Sequence, residues 1–339
     1  MGLAVGVIML YIFLRYFFNW EESKRILAQA DLSLFFLAAG FFVLSYLLRA
    51  LKWTYILRCQ ENISWQNGYH ATMVCSMTNF FFPIRFGEVI RLFIAKTSSR
   101  VSYSASTAAS LVDLFSHMFL VLLVLFVAAI SRTDLPEWVS IFVPVFLVFL
   151  VGSLIIFVLG VHFSRFFRKT AENLLSLMGI EADKREMLLS GRIATFINDF
   201  LTQCHISSFN RSNIAAILAW SLFIIGNDGL YFQLLISSFG LSISYYQAVM
   251  AACFLNVFFF IPSPPGRVGT AEMYPVLIFS GILLLSAKVI ATAALAWHIT
   301  TTGLVALLGL SSMTSLGLQF KTLLNQETLS TMEDQDYAS

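Results

Sequence analysis

The sequence predicts an all-α, polytopic integral membrane protein built as an inverted repeat. Three observations carry this. The chain is 58% hydrophobic and only 12% charged, against about 25% charged residues in a soluble domain, and its mean hydropathy is +0.80. Several apolar runs reach the length of about 20 residues that a helix needs to cross a bilayer. Two runs are broken by proline, one at Pro83 and one at Pro262, Pro264 and Pro265. This composition excludes a cytosolic enzyme and a disordered chain, and a net charge of +2 gives no basic face for nucleic acid. The expectation is about seven or eight crossing helices plus two re-entrant helical hairpins.

The elements follow in order. Residues 2–18 form the first run, which lacks a basic leader and an A-x-A-like exit and so reads as a retained helix rather than a cleaved signal. A polar strip with Glu21, Glu22, Lys24 and Arg25 leads to the second run, 31–57. Residues 67–95 would make a straight helix of about 43 Å, too long for a hydrocarbon core of about 30 Å. Broken at Pro83, they read as a hairpin that enters and returns. Runs 102–130 and 138–162 complete the first half, about 1–162. In the polar stretch 163–210, Phe163, Phe166 and Phe167 alternate with Arg165, Arg168 and Lys169. That fits amphipathic helices on the cytoplasmic leaflet or a plain linker. The second half, 211–320, holds 211–238, the broken run 245–279, and 282–318, readable as one long helix or two crossings. The acidic tail 321–339 is expected to be disordered.

Charge sets the expected orientation. Segments 49–58, 96–100 and 165–211 hold twelve Lys and Arg, whereas 19–30, 131–137 and 239–244 hold three, so the first group should be cytoplasmic. Only a returning hairpin over 67–95 puts 49–58 and 96–100 on one side. The second broken run follows an uncharged loop on the opposite face and should dip in from there. Entry from opposite faces is the pattern of inverted-repeat transporters. The order Asn79, aromatics, Pro83, Arg85, Gly87, Glu88 is echoed weakly by Asn256, aromatics, Pro262, Arg267, Gly269, Glu272.

Ionisable groups at bilayer depth cost about 2.5–3.5 kcal/mol each on insertion scales, so Arg85, Glu88, Arg91, Arg267 and Glu272 must pair or line a wet cavity. A helix starting near Pro83 places Arg85, Glu88 and Arg91 on one face, with a surplus positive charge. Helices starting at Pro83 and Pro265 would present free N–H groups and positive dipole ends to an anion such as a phosphate. Gly87, Gly266 and Gly269 would let a headgroup approach the backbone. Glu88 and Glu272 would be counter-ions to the arginines or proton carriers. Asp113 and His117, one turn apart, allow a hydrogen bond, as an interhelical fastener or a proton relay, and Asp228 has the same standing. Lys288, in the helix that also carries His298, could snorkel or pair with Glu272. Arg49, Lys52 and Arg58 read as orientation determinants. The four cysteines, Cys59, Cys75, Cys204 and Cys253, show no paired spacing and read as apolar thiols. No metal, cofactor, nucleotide or nucleophile motif is present in the sequence, so neither a cofactor nor enzymatic chemistry is expected.

NFFFPIRFGEVIRLFIAK (79–96) resembles the Pro-x-Arg-x-Gly-Glu-x-x-Arg stretch of the lysylphosphatidylglycerol synthetase transmembrane-region, or flippase-like, family. IPSPPGRVGTAEMYPVLIF (261–279) is similar to that family's Pro-Gly-Gly-x-Gly run followed by Glu, and LLRALKWTYILR (47–58) to its basic helix end. The resemblance implies a translocase that moves an anionic or aminoacylated, phosphate-bearing lipid between leaflets of a bacterial-type inner membrane. It carries over Pro83, Arg85, Gly87, Glu88 and Arg91, and Pro265, Gly266, Gly269 and Glu272. Arg267 departs from the usual second glycine, and Ser110 stands where an arginine is expected three residues before Asp113. A homodimer, or a complex with an envelope-lipid biosynthetic enzyme, is compatible with this. Two other classes stay open: a membrane-embedded lipid-modifying enzyme using Glu88 or Asp113 as base, and a non-transporting partner of an envelope-lipid glycosyltransferase.

Overall fold

The computed structural model describes residues 2–82, 86–131, 211–259 and 263–317, with positions 144, 145, 147, 148, 151 and 152. The expected run 138–162, the linker 163–210, the tail 321–339, Cys204, Pro83, Arg85 and Pro262 lie wholly or largely outside the described residues.

The described residues are helical. Helix α1 (Gly2–Ile12) continues as a π-helical turn, Phe13–Phe17. The polar strip forms α2 (Trp20–Gln29), an element the hydropathy pattern did not announce. Asn19 caps it by accepting the Glu22 N–H at 3.1 Å, and Glu21 and Glu22 sit in its first turn, where the dipole favours them. Asp31 caps α3 (Leu32–Arg58) by accepting two backbone N–H groups, from Ser33 and Leu34. Helices α4 (Trp65–Phe81), α5 (Gly87–Ser99) and α6 (Tyr103–Ser131) complete the first unit. The second unit is α7 (Arg211–Ser238), α8 (Tyr245–Phe258), a 3-10 turn (Pro265–Arg267), α9 (Thr270–Pro275), a π-helical turn (Val276–Ser280) and α10 (Ala287–Ser315). The last run is therefore a single helix. It starts five residues late, after a bend in which Leu284 has φ 55°.

Among the described residues, α3, α6, α7 and α10 are long and apolar enough to cross a membrane. Their outer faces carry exposed Phe36, Val127, Phe223 and Leu307, the surface that lipid tails would cover. Between the long helices of each unit lie two shorter ones. At 1.5 Å per residue α4 is about 26 Å, α5 about 20 Å and α8 about 21 Å long, each short of the core of about 30 Å.

Hydrogen bonds fix the direction of each hairpin. Helices α3 and α7 run antiparallel: Asp31 N–H donates to Ser238 O at 2.8 Å at one end, and Tyr55 OH lies 3.3 Å from Asn213 Oδ1 at the other. At the Tyr55 end, Asn67 Nδ2 donates to Ser98 O (3.1 Å) and Ser99 Oγ (2.8 Å), while Glu61 accepts both the backbone N–H and the hydroxyl of Ser102. The first hairpin therefore enters and leaves at one end. At the Asp31 end, Ser23 Oγ meets Thr292 Oγ1 at 2.9 Å and Lys288 meets Glu22 at 2.7 Å, so α10 begins beside α2, where α7 has just ended. The second hairpin enters from the opposite end. Both open alike, on a buried isoleucine and a capping serine: Ile63-Ser64 before α4, Ile243-Ser244 before α8.

Candidate functional site

The hairpin tips meet. The Phe80 ring, near the end of α4, lies 5.4 Å from the Arg267 guanidinium and 5.9 Å from the His298 ring. Side chains from both tips and from the long helices enclose two adjoining cavities of about 290 and 330 Å³, which share Arg49, Ser76, Asn79 and Asn256 as a partition.

The first hairpin builds a closed ionic network. Helix α5 starts at Gly87, not at Pro83, and its leading N–H is already used: Asn79 Oδ1 accepts it at 2.8 Å, while Asn79 Nδ2 donates to Glu88 at 3.2 Å. Glu88 pairs with Arg91, whose guanidinium also donates to Ser110 Oγ (3.0 Å), lies 4.0 Å from Asp113 and sits 4.7 Å from the Trp53 ring. Asp113 in turn holds Lys52 at 2.9 Å. Among the described residues two cations meet two carboxylates, and Arg85, on which the expected surplus charge rests, lies outside them. Lys52 is fully buried here and is not an orientation determinant. Ser110 bonds both Arg91 and the Trp53 indole N–H (3.2 Å), filling the place where an arginine was expected.

The second hairpin is irregular. Pro265 opens only the 3-10 turn, and the α-helix begins at Thr270. Gly266, Arg267 and Gly269 have φ of 66°, 55° and 85°. This left-handed region costs a residue with a side chain about 1–2 kcal/mol, which gives the family's glycine at position 267 a physical reason. The Arg267 guanidinium lies between the rings of Phe80 and Phe259, 4.7 Å from the latter. Glu272 Oε2 accepts the Gly269 N–H at 2.8 Å, and Oε1 lies 2.6 Å from His298 Nδ1; His298 Nε2 donates to Gly266 O at 2.8 Å. Glu272 therefore pairs with His298, not with an arginine or with Lys288, which is held by Glu22.

Other expectations change for steric or electrostatic reasons. One N–H at each returning helix start is capped from within the protein, that of Gly87 by Asn79 and that of Gly269 by Glu272. A side chain at Gly87 would strike the Cys75 carbonyl, and one at Gly269 the Gly6 carbonyl of α1; these glycines admit protein backbone, whereas one at Gly266 would meet only Val268, at an ordinary contact distance of 3.6 Å. Asp113 and His117 do not bond, because Asp113 is taken by Lys52 and Arg91. His117 Nε2 instead lies 3.4 Å from Asn256 Oδ1, and its buried Nδ1 has no partner. Asp228 binds Arg49 at 2.6 Å and accepts the Ser45 hydroxyl, so Arg49 too is a cavity residue rather than an orientation signal. Cys75 and Cys253 are buried and Cys59 half-buried.

Sequence reasoning missed Arg49, Lys52, Asn79, Asn256 and His298 as a set. A signal existed for Arg49: it lies nine residues before the end of α3, about 13 Å inside, too deep for a terminal anchor. No curated relative and no solved structure matches the chain significantly. The family profile described as the lysylphosphatidylglycerol synthase TM region matches residues 1–309. On that match the chain belongs to the lysylphosphatidylglycerol synthase TM-region family.

Proposed function

We propose that the chain is a lipid translocase that passes an anionic, phosphate-bearing or aminoacylated headgroup between leaflets while the acyl chains stay in the bilayer. One observation carries this reading: two hairpins from opposite ends meet tip to tip at adjoining, largely apolar cavities into which charged and amide groups are set, with Ser76, Asn79, Asn256 and Arg49 dividing them. A volume of about 290 Å³ is at the small end for ligand pockets, room for a headgroup but not for a whole lipid. Arg267 and Arg49 would receive the phosphate, with Gly266 giving it access to the turn. Asp228 would hold Arg49 when the site is empty. Glu88, Arg91, Asp113 and Lys52 would keep the neighbouring cavity polar but neutral, so that a headgroup crosses it without being trapped. By charge asymmetry the Tyr55 end of α3 would face the cytoplasm of a bacterial-type cell.

The test is reconstitution of the full chain into phosphatidylcholine vesicles with a trace of fluorescent anionic phospholipid. Wild-type protein should move the reporter, and Arg267→Gln should slow it about tenfold or more, the loss of a charge-assisted hydrogen bond worth about 1.5–3 kcal/mol. Wild-type transfer no faster than in protein-free vesicles rejects the reading. Mass spectrometry of the reporter should show no change of mass; a changed mass would favour the lipid-modifying alternative.

A further inference from the structure

The contact between Glu272 and His298 holds one more hydrogen than a carboxylate and a neutral imidazole with a single N–H can place. The Gly266 carbonyl only accepts, so His298 Nε2, 2.8 Å away, carries a hydrogen. Nδ1 lies 2.6 Å from Glu272 Oε1, and two bare lone pairs would repel at that distance, so a second hydrogen lies between them. The other carboxylate oxygen is already bound to the Gly269 N–H. Whether written as glutamic acid with imidazole or glutamate with imidazolium, the pair is neutral and stores one proton. Its side chains are 4% and 10% exposed, and His298 lines the cavity of about 290 Å³.

The surroundings make that proton consequential. Arg267 comes from the pair's own hairpin, Arg49 and Tyr46 from α3, and Asp228 and Tyr231 from α7. Helices α4 and α8 contribute Asn79, Phe80 and Asn256, which carry no charge. Tyr274 of α9 is turned onto Phe258 and Phe259, and Lys288, at the outer end of α10, is held by Glu22. Beside Arg49, Arg267 and Asp228, loss of the pair's proton makes the cavity one unit more negative.

We propose that the Glu272–His298 pair is a proton-binding site that couples lipid movement to protons, one proton travelling with each anionic headgroup. The proposal rests on the translocase reading. With the proton in place the pair is neutral and does not repel an anionic headgroup held by the arginines. When the proton leaves through the cavity to water, the pair carries a full negative charge. The cavity is then one unit more negative beside the headgroup, which favours its release.

The experiment imposes a pH difference across the reporter vesicles and reads the steady-state leaflet distribution. One-to-one coupling gives about tenfold asymmetry per pH unit, with the lipid accumulating in the leaflet away from the acidic side. His298→Gln should abolish the asymmetry whatever its residual rate. Reporter movement that ignores the gradient, or an unchanged asymmetry in His298→Gln, overturns the proton coupling and leaves the translocase reading intact. If no reporter moves, the translocase reading fails and the coupling built on it fails too. The stored proton is read separately, by proton NMR in detergent: a far-downfield hydrogen-bonded signal is expected that Glu272→Gln and His298→Gln each remove. Its absence from the wild type overturns the proton site.

Discussion

The two hairpins solve the same problem, bringing polar groups to the middle of an apolar protein, in opposite ways. The first, α4–α5, is two regular helices, and its inner charges are paired: Arg91 with Glu88 and with Asp113 of α6, which also holds Lys52 of α3. The second spends regularity. Within sixteen residues it passes through a 3-10 turn, three positive φ values, a six-residue helix and a π-helical turn. It sets Arg267 between aromatic rings and Glu272 at 2.6 Å from His298. Strained backbone persists where the surroundings over-determine it, and it clusters at sites of function. The contrast teaches that a symmetric layout does not make equivalent halves: the regular hairpin fits the proposed reading as a support, and the irregular one as its working surface.

Substitutions that break this contrast should differ in size and in kind. The largest effect on stability is expected from Asp113→Ala in the support: it strands the fully buried Lys52, and losing one partner of a buried pair costs about 3–5 kcal/mol, visible as a lowered unfolding midpoint in detergent. Gly87→Ala comes next. Its methyl group would meet the Cys75 carbonyl and the Asn79 side chain, overpacking worth about 1–3 kcal/mol in the same assay. Gly266→Ala would meet only Val268 at an ordinary contact distance, so only the positive φ counts against it, about 1 kcal/mol. Smallest, and opposite in sign, is Arg267→Gly: relief of φ 55° should leave stability equal or raise it by up to about 1 kcal/mol, while lipid movement in vesicles falls at least as far as with Arg267→Gln. An Arg267→Gly protein that is markedly less stable, or transports normally, would erase the distinction between support and working surface.

Much of this was legible beforehand. Pro83 and the Pro262–Pro265 cluster marked both breaks, and the excess length of 67–95 required a fold-back that the Asn67–Ser98 bond bears out. The residues Glu88, Arg91, Arg267 and Glu272 were singled out and do gather at the tips. Their partners were not legible. Adjacent-turn spacing suggested Asp113 with His117, whereas Lys52, from a helix 61 positions away, takes the aspartate. Proximity along the chain suggested Lys288 for Glu272, but Lys288 lies at the outer end of α10 and His298 reaches the carboxylate from 26 residues off. Glycines read as openings for a ligand at 87 and 269 proved to be openings for the Cys75 and Gly6 carbonyls.

Hydropathy, proline and glycine act within one or two helical turns, so the chain alone determined its helical membrane class, its long and broken runs, and its family. The choice among ionic partners belongs to the tertiary structure. In a medium of low dielectric a buried charge takes the nearest opposite charge in space. That neighbour is set by how helices cross: Arg49 finds Asp228 across 179 residues of sequence because α3 and α7 lie antiparallel, and no local pattern encodes that distance.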